Sequence, residues 1–171
     1  MERNIVLIGF MGSGKTSVGK KLSMDLKREF IDMDDFIEKR EGMSVNEIFD
    51  KKGEDYFRNA ERELCVRFAE AKSKIIATGG GVIKSDENVE NLKKGGVIIY
   101  LKSAPKQIAH NLRHDNTRPL LAGGNKEEKI AKLMAEREPI YNKCADIVLD
   151  VSNINIEETI EKIKEILHIN V

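Results

Sequence analysis

The chain has 171 residues, with 29 Lys or Arg and 29 Asp or Glu, so its formal net charge is zero. This length is typical of a single domain, here residues 1–171, that buries about 70% of its unfolded surface. Zero net charge argues against a nucleic-acid-binding protein, and no apolar run approaches the ~18 residues of a membrane span. We therefore expect a cytoplasmic protein with no nucleic-acid or membrane partner, in which Cys65 and Cys144 are buried, reduced thiols.

The first predicted elements surround a glycine-rich segment. The apolar run from Ile5 to Phe10 predicts a buried parallel strand, and Val18, Leu22 and Leu26 have the spacing of a buried helix face. Between them, Gly9 to Thr16 matches the G-x-x-x-x-G-K-[ST] phosphate-binding pattern at every position. A chance glycine-rich turn is the alternative, but a strand before the pattern and a helix after it favour a phosphate-binding loop.

This loop predicts how a polyphosphate binds. Its glycines let backbone N–H groups surround phosphate oxygens, and the helix N-terminus favours negative charge. Lys15 can reach the outer phosphates, and the Thr16 hydroxyl can ligate Mg²⁺.

The rest of the chain alternates strands with helices. Further strands are predicted at Phe30-Ile31, Lys74 to Thr78, Val97 to Leu101 and Ile147 to Val151. Helices are predicted to begin near Asp35 and at Ser85, and to span Ser44 to near Gly53 and Tyr56 to Ala71. A further helix is predicted to be capped by Ser103, with Pro105 in its first turn, and another contains Arg137 and ends before Tyr141. The last helix has its apolar face at Ile156, Ile160, Ile163 and Leu167. Such alternation predicts an α/β fold with a parallel sheet covered on both faces.

Two carboxylates follow the second predicted strand. Asp32 and Asp34 are expected at the edge where the phosphate loop lies, since ligands of α/β sheets bind beyond the carboxyl ends of strands. If the backbone stays extended there, the two side chains point the same way. One would then support Mg²⁺, and the other would hold a substrate hydroxyl and accept its proton. The alternative is that they only cap the following helix.

Three arginines raise the possibility of an anion clamp. Arg58 and Glu61 share a helix face, and taken alone they are a surface ion pair worth about 0–1 kcal/mol. Arg118 and Arg137 lie in segments that can face the same sheet edge, and arginine binds carboxylates through two parallel hydrogen bonds.

Thr78 is followed by three glycines, Gly79, Gly80 and Gly81, directly after the third predicted strand. A plain turn would need one glycine. Three predict close approach of a ligand or a backbone with positive φ.

Together these motifs closely resemble the shikimate kinase family, P-loop kinases related to nucleoside monophosphate kinases. The matching segments are Gly9 to Thr16, Asp32-Met33-Asp34, Phe57-Arg58 with Glu61, Thr78 to Gly81, Arg118 to Leu121, and Arg137 before Pro139 and Tyr141. The resemblance implies a three-layer P-loop kinase fold with a five-stranded parallel sheet of order 2-3-1-4-5, a substrate-binding lobe near residues 33–61 and a lid near residues 112–124.

The resemblance also implies an activity: transfer of the ATP γ-phosphate to the 3-hydroxyl of shikimate, on the route to chorismate and the aromatic amino acids. It implies Mg²⁺ as cofactor, ATP and shikimate as partners, and a monomer.

Residue roles follow from the same resemblance. The phosphates of ATP would bind Gly12, Ser13, Gly14, Lys15, Thr16, Ser17 and Arg118, and Thr16 and Asp32 would serve Mg²⁺. Lys15, Asp34 and Arg118 would be catalytic, with Asp34 on the reacting hydroxyl. Shikimate would bind Asp34, Arg58, Glu61, Gly80, Gly81 and Arg137, with Glu61 orienting Arg58. Phe49, Phe57, Pro119 and Leu120 would shape the apolar wall of the pocket.

Two positions depart from the family pattern. Asn111 stands where related enzymes often carry an arginine that stacks on adenine, and Ile156 stands where a proline is common. The adenine contacts and the nucleotide preference therefore stay open.

Two other functional classes share part of this pattern. A gluconate or nucleotide kinase shares the phosphate loop and lid, but a neutral polyol gives no reason for both Arg58 and Arg137. A nucleotide-dependent switch would not need Asp34 at an acceptor hydroxyl.

Overall fold

The computed structural model describes residues 2–114 and 124–169. The strands are β1 (Asn4–Ile8), β2 (Phe30–Asp32), β3 (Ile75–Ala77), β4 (Gly96–Lys102) and β5 (Ile147–Asp150). The α-helices are α1 (Lys15–Leu26), α2 (Met33–Glu41), α3 (Val45–Lys52), α4 (Glu54–Glu70), α5 (Asp86–Gly95), α6 (Pro105–Asn111), α7 (Lys126–Cys144) and α8 (Ile156–Ile166), and Val82–Lys84 forms a 3₁₀ turn. Each observed strand matches its predicted span to within two residues.

The five strands form one parallel sheet in the order β2-β3-β1-β4-β5, which confirms the predicted fold class and strand order. Strand β1 is central: Val6 pairs with Ile76 of β3 on one side and with Ile98 of β4 on the other. All five residues of β1 are buried, as expected for a parallel strand with helices on both faces.

Alternate residues of β1 point into two separate apolar cores. Ile5 and Leu7 pack with α1 and α8 on one face, where Leu22 and Ile163 are fully buried. The other core lies between the sheet and helices α2 to α7; Val6, Ile8, Phe57, Leu64 and Tyr141 are among its members. Because successive side chains of a strand face opposite ways, one strand serves both layers.

Most predicted helix starts are confirmed, and one is wrong. The side chains of Ser44 and Ser85 accept hydrogen bonds from the Glu47 and Asn88 amides and cap α3 and α5. Ser103 does not cap α6: the chain is still extended at Ala104, which takes the cap position without a side-chain bond. Pro105 then opens the helix, since its fixed φ suits the first position.

Both cysteines are buried and unpaired, as predicted. Burial raises the pKa of Cys65 to about 12, so its thiol stays protonated. The predicted substrate-binding lobe, residues 33–61, comprises α2, α3 and the first half of α4. Most of the predicted lid, residues 115–123, lies outside the described residues, and the division into lobe and lid stays a prediction. Across the described ranges, no helix is both long and apolar enough to cross a membrane.

Candidate active site

The phosphate loop joins β1 to α1. Gly14 occupies the N-cap position of α1 in a left-handed conformation (φ 95°) and, as a glycine, has no side chain with which to cap the helix. The first-turn amides are therefore left for another acceptor, and the helix dipole favours an anion there. The loop has the geometry of an anion-binding helix N-terminus.

Lys15 and Thr16, the first two residues of α1, make contacts that fix the two ends of this site. Lys15 Nζ donates to the carbonyl oxygens of Gly9 at 2.6 Å and Phe10 at 3.1 Å, so its side chain folds back over the loop. Thr16 Oγ1 donates to Asp32 Oδ2 at 3.0 Å, which brings together the two side chains expected to serve Mg²⁺.

The expectation of an extended backbone from Asp32 to Asp34 is wrong. Asp32 ends β2 and is the N-cap of α2, where its Oδ1 accepts a hydrogen bond from the Asp35 amide at 3.1 Å. Capping satisfies a helix-end amide, so helix geometry begins at Met33 rather than continuing the strand. The capping alternative thus holds for Asp32, although the same carboxylate also accepts from Thr16. Asp34, in the first helical turn, still reaches the site.

A cavity of about 260 Å³ opens beside the phosphate loop. Its lining brings together most of the predicted site residues: Met11, Gly12, Gly14, Lys15, Thr16, Ser17, Asp32, Asp34, Thr78, Gly79, Gly80 and Arg137. Loop, carboxylates, glycines and one arginine therefore meet at one edge of the sheet.

The three glycines after β3 make room for charged side chains. A Cβ on Gly79 would lie 2.5 Å from Asp34 Oδ1 and 3.3 Å from Glu61 Oε2. A Cβ on Gly80 would lie 3.2 Å from Arg137 Nη1, and one on Gly81 would overlap the Arg58 guanidinium. None of the three has a positive φ. The triplet is thus required for close approach and not for an unusual backbone conformation.

Glu61 is a buried carboxylate, only 1% exposed, on the inner face of α4. Its Oε1 accepts from Arg58 Nη1 at 2.6 Å, which is shorter and more buried than the surface ion pair considered from sequence. Burial raises the pKa of Glu61, and the Arg58 charge opposes that rise. The second oxygen, Oε2, has no hydrogen-bond partner within the described ranges. A buried carboxylate oxygen without a partner is unusual, and this one lies close to Gly79.

The Arg58 guanidinium lies against two aromatic rings. It is 5.9 Å from the centroid of Phe49 and 5.6 Å from that of Phe57, and the two rings meet edge to face at 5.1 Å. These contacts, together with Glu61 and with Glu54, whose Oε1 accepts from Arg58 Nε at 3.4 Å, restrict the orientation of the Arg58 guanidinium.

Arg137 enters the cavity beside the phosphate loop from α7, whereas Arg58 lines a separate cavity, of about 420 Å³, together with Gly81. Its guanidinium lies 5.5 Å from the centroid of Phe10, the second residue of the phosphate loop. The sequence predicted a helix that ends before Tyr141, but α7 runs through Pro139 to Cys144. Tyr141 is buried in this last part of α7 and packs against Tyr100, with ring centroids 4.9 Å apart.

Another cavity, of about 840 Å³, lies on the other side of the phosphate loop. Asn111 and Ile156, the two positions that depart from the family pattern, both line it. Ile156 is 39% exposed at the start of α8, so it does not belong to the buried face on which the sequence placed it. Asn111 Nδ2 donates to the Gly12 carbonyl at 2.8 Å, a contact for which the sequence offers no signal.

Arg118, Pro119 and Leu120, which the sequence analysis assigned to the lid, lie outside the described residues. The described ranges contain no cluster of three His, Cys, Asp or Glu side chains fit for a metal ion.

Comparison with known proteins agrees with this geometry. A family model described as shikimate kinase matches residues 11–168. A shikimate kinase from Caldanaerobacter subterraneus subsp. tengcongensis is 48% identical over 94% of this chain and 94% of its own, and one from Thermodesulfovibrio yellowstonii is 47% identical over 94% of this chain and 92% of its own.

Solved structures of shikimate kinases also resemble this chain. A shikimate kinase from Acinetobacter baumannii in complex with shikimate superposes with a TM-score of 0.89 at 36% identity, covering 98% of this chain and 94% of that chain. A gluconokinase from Sinorhizobium meliloti, with a TM-score of 0.56 at 15% identity over 97% of this chain and 95% of its own, shares the fold alone. The family model, the sequence relatives and the superposition all cover nearly the whole chain, and this chain belongs to the shikimate kinase family.

Proposed function

We propose that this protein transfers the γ-phosphoryl group of ATP to the 3-hydroxyl of shikimate, giving shikimate 3-phosphate and ADP on the route to chorismate and the aromatic amino acids. One observation carries the proposal. Asp34, Glu61, Arg58 and Arg137 converge on Gly79–Gly81, next to the phosphate loop. A site for both a carboxylate and a hydroxyl beside a polyphosphate site fits shikimate, which bears both groups.

The two arginines would bind the acceptor carboxylate. Arg58 and Arg137 come from different helices and both reach the glycine triplet, at Gly81 and Gly80. Two guanidinium groups on one carboxylate supply charge and fixed direction, which orients the ring. Glu61 holds Arg58 through one oxygen, and its other oxygen, which has no partner among the described residues, would accept from a hydroxyl of the acceptor.

Asp34 would bind the reacting hydroxyl. Its carboxylate lies at the Gly79 end of the triplet and lines the cavity that also contains Lys15. A carboxylate here positions the hydroxyl in line with the γ-phosphate and accepts its proton as the new P–O bond forms. Positioning matters most, because the transition state of phosphoryl transfer requires little covalent help.

The donor phosphates would bind the loop residues Gly12, Ser13, Gly14, Thr16 and Ser17 and the Lys15 ammonium. Lys15 Nζ contacts the carbonyl oxygens of Gly9 and Phe10, which holds its ammonium at the loop where the phosphates would bind. Arg118 is proposed to neutralise the transferring group from the lid.

Thr16 and Asp32 would serve Mg²⁺. A hydroxyl and a carboxylate in hydrogen-bond contact are the hard oxygen donors that this ion prefers. Two side chains suffice, because Mg²⁺ keeps several waters and takes further oxygens from the substrate phosphates. When bound, it neutralises charge on the β- and γ-phosphates. The cytoplasmic location and the monomeric state stay predictions from the sequence.

An acceptor panel tests the proposal. ADP release by the purified protein with ATP and Mg²⁺ is measured with shikimate, gluconate and nucleoside monophosphates, and the product is identified by ³¹P NMR. We expect release that depends on shikimate, with a phosphate ester at the 3-position. Release that is independent of the acceptor, or greater with gluconate, would refute the proposal.

A further inference from the structure

The C-terminal end of helix α6 is hydrogen-bonded to the phosphate loop. Asn111, its last residue, donates from Nδ2 to the Gly12 carbonyl at 2.8 Å. The other end of the same amide, Oδ1, accepts from Gln107 Nε2 at 2.9 Å. Gln107 lies one helical turn earlier on the same face. It fixes the amide of Asn111 so that the NH₂ group, and not the oxygen, faces Gly12.

The contact restrains one peptide unit of the loop at both ends. The amide between Gly12 and Ser13 offers its carbonyl to Asn111, while its N–H donates to the Phe10 carbonyl at 3.1 Å. A peptide unit is planar, so bonds to both ends fix its rotation. Gly12 has a left-handed φ of 77° and no side chain to restrict it, so this restraint must come from elsewhere in the fold.

The residue after Asn111 supports the same corner. Leu112 is 4% exposed, and a Cβ on Gly12 would lie only 2.9 Å from its Cγ. The Leu112 carbonyl accepts from Lys126 Nζ, at the start of α7, at 2.5 Å. The end of α6 is therefore held against both the loop and the next helix.

We propose that Asn111 is a positioning residue for the phosphate loop. It acts through the Gly12 carbonyl and keeps the loop amides in the arrangement that a polyphosphate needs. This inference rests on the proposed function and deepens it. Asn111 stands where the family pattern often has an arginine stacked on adenine, and here its side chain is directed to the loop backbone. Asn111 should therefore contribute to the binding of the phosphates of any nucleotide and not to the binding of the base. Preorganising a loop improves affinity by reducing the ordering that binding requires.

Calorimetric titration with two probes separates these roles. ADP has both base and phosphates, whereas inorganic pyrophosphate has phosphates alone. Asn111→Ala and Asn111→Leu remove the donor, and Asn111 is exposed, so both variants should fold. We expect both to raise the Kd for ADP and for pyrophosphate by the same factor, about three- to tenfold, as for the loss of one ordinary hydrogen bond. The Kd for shikimate and the Tm should stay unchanged.

Two further variants act as references. Gln107→Ala should raise the Kd for both probes by less than the Asn111 variants do, because it removes only the group that orients Asn111. His110→Ala, an exposed neighbour on the same helix, should change neither.

Three results would overturn the inference. A higher Kd for ADP with an unchanged Kd for pyrophosphate would mean that Asn111 contacts the base. An unchanged Kd for both probes would mean that the contact does not contribute to phosphate binding. An equal rise in the Kd for shikimate, together with a lower Tm, would mean that the contact only stabilises the fold. Shikimate phosphorylation is assayed separately, so failure of this inference would leave the proposed reaction standing.

Discussion

A single methyl group at Gly79 should displace the proposed catalytic carboxylate. The Cβ of Gly79→Ala would lie 2.5 Å from Asp34 Oδ1, whereas ordinary contacts begin near 3.4 Å. Gly79 does not have a positive φ, so alanine fits the backbone and the conflict is with the side chain alone. Asp34 must therefore move by about 0.9 Å, the difference between those two distances.

That displacement sets the expected magnitude. A shift of about 1 Å in a positioned group can cost about 10²-fold in rate, so kcat should fall by about that factor. Shikimate should still bind, because the three nearest atoms to the Gly79 methyl group belong to Asp34 and Glu61 and not to Arg58 or Arg137. The effect should thus appear in kcat much more than in KM for shikimate.

The neighbouring glycines provide matched controls. The methyl group of Gly81→Ala would overlap the Arg58 guanidinium, so this variant should raise KM for shikimate with a smaller effect on kcat. That of Gly80→Ala would lie 3.2 Å from the flexible end of Arg137, so its effect should be the mildest. Steady-state kinetics with shikimate varied at saturating ATP, together with the Tm of each variant, measure all three.

The pattern is open to refutation. An unchanged kcat in Gly79→Ala, with a normal Tm, would remove Asp34 from the reaction as described. Identical kinetic changes in all three variants would mean that the glycines act on the loop as a whole and not on separate side chains.

Three further predictions concern the charged side chains themselves. Asp34→Asn should lower kcat by about 10²- to 10⁴-fold, the range for a positioned base, as measured by ADP release. Arg137→Lys should weaken shikimate binding by about 10- to 150-fold in calorimetry, because a hydrogen bond to a charged group contributes roughly 1.5–3 kcal/mol and lysine lacks the second donor of the fork. Glu61→Gln should change how stability depends on pH. Burial raises the pKa of Glu61 above 4.5, so the folded state binds its proton more tightly than the unfolded state, and its stabilising effect is lost as pH rises through the folded pKa. Urea unfolding from about pH 4 to pH 7 should show the wild type losing stability relative to the variant.

Each of these has a contrary outcome. An unchanged turnover in Asp34→Asn would leave the reaction without a proposed base. Equal weakening of ATP and shikimate in Arg137→Lys would assign this arginine to the nucleotide, and the ATP titration is the internal control. Parallel unfolding curves for wild type and Glu61→Gln across the pH range would mean that burial does not raise the pKa of this carboxyl group.

The sequence was most informative where a local pattern requires a local structure. The glycine-rich loop, the helix starts at Ser44 and Ser85 and the strand-helix alternation depend on residues close in the chain, and all were predicted. The prediction from sequence was wrong where two local preferences compete. Asp32 could continue the strand or cap a helix, and it caps. Ser103 had the residue type of a cap, but the chain stays extended one residue further, to Ala104.

By itself, the sequence determined which side chains carry charge at the carboxyl ends of the strands and the family that they resemble, and that resemblance implied the order of the sheet. Only the tertiary structure decided how those charges meet. Glu61 is buried with one oxygen that has no hydrogen-bond partner among the residues the structure describes, each glycine after β3 admits a particular charged side chain, and Asn111 bonds the backbone of Gly12. These contacts join residues from separate elements, up to 99 positions apart, and depend on how helices pack against the sheet. Packing is a property of the whole chain, so no short segment of sequence reveals it.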